Sequence, residues 1–302
     1  MKINRAELIT EQQNPKSAEI DKKSISEILG IINEEDSNIF AAVKKVIPAL
    51  AQVVELVVAA LKDGQKIIYV GAGTSGRLGI LDASEIPPTF SASREWFTGV
   101  IAGGKEAVFR SIEGAEDIPE NSHGDLNKLG LNSGDVLIGI ASSGTTPYVI
   151  EALNFGKQND CRTVFLICNP TSSNSLDYDV VIPVDVGPEI ITGSTRMKAG
   201  TATKMILNMI STTSMIKMGK VYGNLMVDLQ VVNEKLRDRG TRIIEKLTNL
   251  NYNDAVKMLE HSGGSVKTAL VMINNNCSKS EAKELLNAQD GNLRKIIGDL
   301  AI

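Results

Sequence analysis

The chain has 302 residues, 42% of them hydrophobic and 23% charged, with a formal net charge of -4. A chain of that size and balance buries a full core and holds one large domain with room for a small second one. Its acidic and basic residues are mixed throughout, which excludes the basic footprint of a nucleic-acid or anionic-membrane binder, so an anionic ligand must be held by local geometry.

Residues 1 to about 16 are polar and irregular. The stretch "MKINRAELITEQQN" lacks the apolar centre of a signal peptide, and no apolar run reaches the roughly 20 residues needed to span a bilayer; the expectation is a cytoplasmic protein. Helical periodicity then covers residues 17–36 and 37–64, the second segment stopping at Gly64. Next come a strand at 66–70, a short helix at about 75–84, a strand at 95–101, a helix at about 104–111 and a strand at 135–140. A helix at 147–158, strands at 162–168 and 179–184, and a long helix from Ser194 to Lys217 complete the alternation. The pattern predicts an α/β fold with a doubly wound, mostly parallel sheet. A further helix is expected within residues 225–247; beyond 252 only three or four short helices remain, one opened by the capping-box spacing of Ser278 and Glu281.

Three cysteines, Cys161, Cys168 and Cys277, are odd in number and lack metal-ligand spacing, so they are expected to be buried free thiols rather than disulfides or a metal site. Only two histidines occur, His123 and His261, which leaves carboxylates to do acid–base chemistry.

Directly after the first strand lies Gly71-x-Gly73-x-x-Gly76, the spacing of a dinucleotide turn. That reading fails in context, because the second strand ends "GVIAGG" without the carboxylate that would hold a ribose. The turn does offer Gly73, Thr74 and Ser75 at a helix start, where free N–H groups suit a phosphate. The third strand ends in a matching turn, "SSGTTP", with Ser142, Ser143, Thr145 and Thr146, the last at a cap position before Pro147. Two hydroxyl-rich turns at one sheet edge suggest a monophosphate held without a lysine.

These paired turns resemble those of the sugar isomerase (SIS) fold, whose members bind phosphosugars. The strings "GAGTSGRLGILDASEIPPTF", "EGAED", "GSTRMKAGTATKMILN", "GKVYGNLMVDL" and "ITEQQNPKSAEID" are together similar to the N-acetylmuramic acid 6-phosphate etherase family. The glucokinase regulatory protein is a more distant relative with two such domains. The resemblance implies an N-terminal arm and helices over 1–56, a SIS domain over 57–220, a connecting helix over 221–250 and a small helical, UBA-like module over 251–302. It implies no cofactor, a phosphosugar substrate, no nucleic-acid or membrane partner, and a homodimer.

The family's reaction removes the lactyl group from carbon 3 of the sugar by elimination and water addition, giving N-acetylglucosamine 6-phosphate and lactate in cell-wall sugar recycling. The resemblance places the two acid–base roles on Glu85, in "LDASE", and Glu116, in "EGAED", with Glu85 protonating the lactyl oxygen and Glu116 taking the proton from carbon 2. From the residues alone, Glu85 is expected to end a short helix against Pro87 and Pro88, where partial burial would suit a proton donor, whereas Glu113 and Glu116 rank equally within an acidic cluster. A non-catalytic phosphosugar-binding regulator and an aldose–ketose isomerase share the fold and stand as alternatives. Arg77, Ser194, Thr195, Arg196 and Lys198 lie in the matched strings and could contact substrate carboxylate or phosphate. Arg77 could equally make a surface salt bridge, and Ser194 could cap the long helix. His123 is expected in a solvent-facing loop, and Trp96 on a buried strand.

Overall fold

The computed structural model describes residues 8–170, 176–229, 231 and 233–299. The N-terminal arm runs through short 3-10 turns to helix α1 (Ile25–Asp36), which opens with a capping box between Ser24 and Glu27. The single helix expected over 37–64 is two, α2 (Asn38–Lys45) and α3 (Ile47–Lys62), broken at Val46. Pro48 is the physical reason: it has no N–H for the residue-44 carbonyl, and it fits in the first turn of a new helix instead.

Five strands follow among the described residues: β1 (Ile67–Gly71), β2 (Phe97–Ile101), β3 (Val136–Ile140), β4 (Arg162–Ile167) and β5 (Val180–Pro183). They pair in the order β2-β1-β3-β4-β5, every pair parallel. All five residues of β1 and of β3 are buried, as continuous apolar runs in a sheet covered on both faces should be. The strand order reverses direction between β1 and β3, so the crevice beyond their carboxyl ends is where this architecture puts a ligand.

Helix α4 (Gly73–Phe90) leaves β1. It does not end at residue 84 as expected but runs through Pro87 and Pro88. Ile86 and Phe90, four residues apart and therefore on one helix face, are both buried, and that packing offsets the lost backbone bonds. The α4 register is set by Asp82, whose carboxylate accepts from the Tyr69 hydroxyl at 3.0 Å, from the Asn208 amide at 2.7 Å and from the Ser211 hydroxyl at 3.1 Å. Burial pushes the Asp82 carboxyl up, and these donors oppose the rise. Trp96 lies in the turn before β2 and is half-buried, not on a buried strand; its carbonyl receives the Ile67 N–H at 2.8 Å.

The segment after β2 carries a helix shorter than expected, α5 (Glu106–Phe109), then a 3-10 turn at Ala115–Asp117 and an unexpected helix, α6 (Asn121–Lys128). Helix α7 (Pro147–Gln158) matches expectation. The long helix α8 spans Lys198–Lys217 rather than starting at Ser194. Its first N–H groups are held not by Ser194 but by the buried carboxylate of Glu189, which accepts from the Lys198 N–H at 3.0 Å and the Ala199 N–H at 2.9 Å. Burial pushes the Glu189 carboxyl up despite these bonds.

The chain forms two compact units, Met1–Ser84 with Glu95–Ser211, and Glu85–Arg94 with Thr212–Ile302. The first has its core around Ile68, Val70, Leu137, Tyr148, Val149 and Phe165. The second holds α9 (Glu234–Leu247), α10 (Tyr252–His261), α11 (Val266–Asn275), α12 (Lys279–Ala288) and α13 (Leu293–Ile297) around Tyr222, Ile244, Leu259, Val266 and Leu270. Helix α9 begins later than the sequence pattern suggests, capped by Asn233; residues 230 and 232 of the expected helix lie outside the described ones. The Ser278–Glu281 capping box opens α12 as the spacing predicts. Cys161 and Cys168 are buried thiols, pushed up to about 12 by burial, and Cys277 is only half-buried. Among the described residues no helix is long and apolar enough to cross a membrane, and no group of three or more His, Cys, Asp or Glu side chains is placed to hold a metal ion.

Candidate functional site

The two expected turns meet at the ends of adjacent strands. At the end of β1, a Cβ on Gly71 would stand 2.5 Å from the Gly76 nitrogen, and one on Gly76 would stand 2.6 Å from Ile101 Cγ1. Both glycines are therefore required for the first turn of α4 to sit directly against the strand ends, which accounts for the spacing without any dinucleotide. Thr74 and Ser75 fall within that first turn, where backbone N–H groups have no partner inside the helix.

At the end of β3 the chain turns at Gly144, which has φ +74° and donates its N–H to the Ala141 carbonyl at 2.9 Å. The hydroxyls of Ser143 and Thr145 lie 2.9 Å apart, and the Thr145 N–H donates to Ser143 Oγ at 3.2 Å. Pro147 occupies the first position of α7, and Thr146 caps the helix through its backbone with no side-chain cap bond.

Together these turns line a cavity of about 300 Å³. Gly73, Thr74, Ser75, Ser142, Ser143, Thr145 and Thr146, all expected from the sequence, face it. So do Glu116 and Asp117, from the 3-10 turn that follows Gly114 at φ +73°. Gly193 and Thr195 also line it and, from the N-terminal arm, so do Leu8 and Glu11. Among the described residues no lysine or arginine lines this cavity. Positive potential comes instead from the amino ends of α4 and α7, which converge on it.

Glu116 also borders a second cavity of about 170 Å³, with Arg77, Ser111, Ile112 and Glu113. The Arg77 guanidinium donates through Nε to the Val108 carbonyl and through Nη2 to the Arg110 carbonyl, both at 3.1 Å. It thus lines the smaller cavity and not the larger one, and its partners are two backbone carbonyls that strap the 105–111 segment leading to Glu116. Glu113, equal in rank to Glu116 on sequence alone, accepts from the Ser111 hydroxyl at 2.7 Å and borders only the smaller cavity.

Other expected residues are placed elsewhere. Lys198 is 1% exposed, its Nζ 2.8 Å from Glu35 Oε2, so its charge serves a buried ion pair. Burial pushes the Glu35 carboxyl up, but Lys198, Asn14 and Lys16 outweigh it and hold the group at about 2. Ser194 is half-buried and Arg196 exposed, and neither lines the larger cavity. Glu85 is exposed, so the burial expected of it is absent; it lies on α4 where that helix belongs to the second unit, and it is not among the residues lining either cavity. His123 sits on α6 rather than in a loop, its Nε2 2.7 Å from Glu151 Oε1 and its ring stacked on Phe155 at 4.2 Å.

Glu11, Asp117 and Gly193 were not anticipated as site residues. The signal for the first was present in "ITEQQNP", where a glutamate stands inside an otherwise polar arm, but nothing in local periodicity brings residue 11 to a sheet edge.

Residues 49–157 match the family model described as the glucokinase regulatory protein N-terminal SIS domain. Over nearly its whole length the chain is similar to proteins named N-acetylmuramic acid 6-phosphate etherase. That of Geobacillus sp. (strain WCH70) is 50% identical over 290 residues, 96% of this chain and 98% of the relative. That of Salinibacter ruber is 49% identical over 292 residues, 96% and 94% of the two chains. That of Edwardsiella ictaluri is 47% identical over 299 residues, 99% and 100%.

Proposed function

This chain belongs to the N-acetylmuramic acid 6-phosphate etherase family and is an enzyme, a carbon–oxygen lyase; from that premise we propose how its own residues carry out the cleavage. The observation that carries the reading is the joining of both hydroxyl turns and Glu116 in one cavity. The 6-phosphate is received by the hydroxyls of Ser142, Ser143, Thr145 and Thr146, by Thr74 and Ser75, and by the amino ends of α4 and α7. No cationic side chain from this wall is needed.

With the phosphate so held, the open-chain sugar extends toward Glu116. An alkyl ether becomes a leaving group only when a carbanion forms next to it, and the aldehyde at carbon 1 makes the carbon 2 proton removable. Glu116 takes that proton; the electron pair forms the carbon 2–carbon 3 double bond as the carbon 3–oxygen bond breaks, and lactate departs once its oxygen is protonated. Water then adds at carbon 3 and a proton returns to carbon 2, giving N-acetylglucosamine 6-phosphate. General acid–base assistance of this kind contributes about 10²–10⁴-fold per group. The acid role is assigned to Glu85 from the likeness of "LDASE" to the family pattern, and its exposure leaves it open to proton exchange with water.

The protein is proposed to act as a homodimer. Ile25, Leu29 and Phe40, on α1 and α2, are 79%, 61% and 68% exposed, an apolar surface that a second copy would cover. A cytoplasmic location is proposed because a phosphorylated sugar does not cross a bilayer unaided, so its enzyme works where the phosphate is added.

The test is lactate release from N-acetylmuramic acid 6-phosphate, with the unphosphorylated sugar as control. Release from the phosphorylated sugar alone is expected. Equal release from both would remove the phosphate cavity from the mechanism, and no release from either would overturn the reading.

A further inference from the structure

The N-terminal arm is far from the sheet in sequence, yet it is fixed against the segment that precedes α8. The Gly193 N–H donates to the Thr10 carbonyl at 3.1 Å, the Asn14 amide donates to the Pro188 carbonyl at 3.1 Å, and the Ser17 hydroxyl donates to the Ile190 carbonyl at 2.7 Å. Leu8 and Thr10 are buried, at 4% and 0% exposure. This attachment leaves the Glu11 side chain on the cavity wall. Its carboxylate passes over Gly193: a Cβ there would stand 3.2 Å from Glu11 Oε2, and Gly193 has φ +75°, so the glycine makes room for the carboxylate.

A carboxylate beside a phosphate site needs a reason, because it repels the dianion. The Glu11 side chain makes none of the hydrogen bonds that fix the arm to the segment before α8; those run through the backbone of Thr10 and the side chains of Asn14 and Ser17. An ionised carboxylate only accepts, so its natural partners are donors, and a phosphosugar carries them as a row of hydroxyls and an amide N–H along the carbon chain.

We propose that Glu11 is a specificity-determining residue, whose carboxylate accepts hydrogen bonds from the hydroxyl and amide groups of the phosphosugar chain and sets which carbon faces Glu116. The proposal rests on the etherase reading for the identity of the sugar. It does not rest on it for the chemistry of recognition, which is that of any hydroxylated phosphate ester. Like-charge repulsion adds to the selection, since inorganic phosphate meets the same carboxylate with no hydroxyl chain to offset it.

The experiment is calorimetric binding of N-acetylglucosamine 6-phosphate and of inorganic phosphate to the full-length wild type, Glu11→Gln and Glu11→Ala, with thermal melts as a check on folding. Hydrogen bonds to a charged acceptor convert to roughly a tenfold to hundredfold loss of sugar-phosphate affinity in Glu11→Ala, with inorganic phosphate bound at least as tightly as by wild type. Glu11→Gln, which keeps one acceptor oxygen, should fall between. Unchanged sugar-phosphate affinity in Glu11→Ala would overturn the proposal. So would parallel weakening of both ligands, which would make the residue a prop for the arm, or failure of the wild type to prefer the sugar phosphate. Lactate release by the wild type is read separately, so a failed etherase reading and a failed role for Glu11 give different results.

Discussion

The ammonium of Lys198 and the carboxylate of Glu35 are 163 residues apart in sequence and 2.8 Å apart in space, with side-chain exposures of 2% and 7%. This pair, with Asn14 donating to the same Glu35 oxygen at 2.8 Å, joins the arm, α1 and the start of α8 beneath the wall that carries Gly193 and Thr195. Removing Lys198 leaves the buried Glu35 carboxylate with only Lys16 at 3.0 Å and the Asn14 amide, and removing Glu35 strands the buried Lys198 ammonium. Glu35→Leu is expected to lower unfolding free energy by about 3–5 kcal/mol, and Glu35→Leu with Lys198→Met to recover most of the loss. Chemical denaturation of the two variants checks both outcomes.

The same carboxylate fixes an acid dependence. Glu35 is held at about 2, below its ordinary 4.5, so the stability it contributes is fully present above about pH 4.5 and is lost as the pH falls through 2. Between those values the wild type should lose more stability than Glu35→Gln, a difference readable from melting temperatures across the acid range.

Glu116→Gln is expected to slow solvent exchange of the carbon 2 proton by about 10²–10⁴-fold, and Glu85→Gln to stop lactate release. Proton exchange followed by NMR, beside a lactate assay, separates the two steps. Near-normal turnover in both variants would remove both glutamates from the chemistry.

Elimination and hydration put solvent oxygen on the sugar. In oxygen-18 water the label should appear at carbon 3 of N-acetylglucosamine 6-phosphate and not in lactate. Label in lactate would mean that the bond on the other side of the ether oxygen breaks.

Arg77 holds the Val108 and Arg110 carbonyls with two arms of one guanidinium. Arg77→Met should therefore loosen the segment before Glu116 and lower kcat by roughly tenfold to hundredfold, as small misplacements of a reacting group do, with inorganic phosphate binding kept within about twofold. Arg77→Lys should not restore the rate, because an ammonium lacks the fork that spans two carbonyls. A parallel loss of phosphate binding would place Arg77 in the phosphate site instead.

The α/β fold was readable because β1 and β3 are unbroken apolar runs, each followed by a glycine and hydroxyl turn. Those local signals also pick out the two turns that line the larger cavity. The break at Val46 was concealed by an apolar pattern that continues across it, although Pro48 marks it. The continuation of α4 was concealed in the opposite way, by prolines that normally stop a helix but here yield to the burial of Ile86 and Phe90. Glu189 as the cap of α8, Lys198 as a buried partner of Glu35 and Glu11 as a cavity wall all depend on contacts between distant segments. No spacing rule reaches them. Only the family likeness separated Glu116 from Glu113, and the structure then gave the two glutamates different surroundings.

A cavity lined by hydroxyls and helix amino ends, without a lysine or arginine among its described residues, ties ligand binding to folding in a particular way. The amide protons of Thr74, Ser75 and Tyr148, in the first turns of α4 and α7, have no acceptor within their own helices. A phosphate ester held there as proposed would remove that deficit and act as a removable cap for two helices at once. At a hundred times its dissociation constant it would add about 2.7 kcal/mol to the stability of the whole domain, and the amides that gain most protection from exchange should be those of Thr74, Ser75, Thr146 and Tyr148.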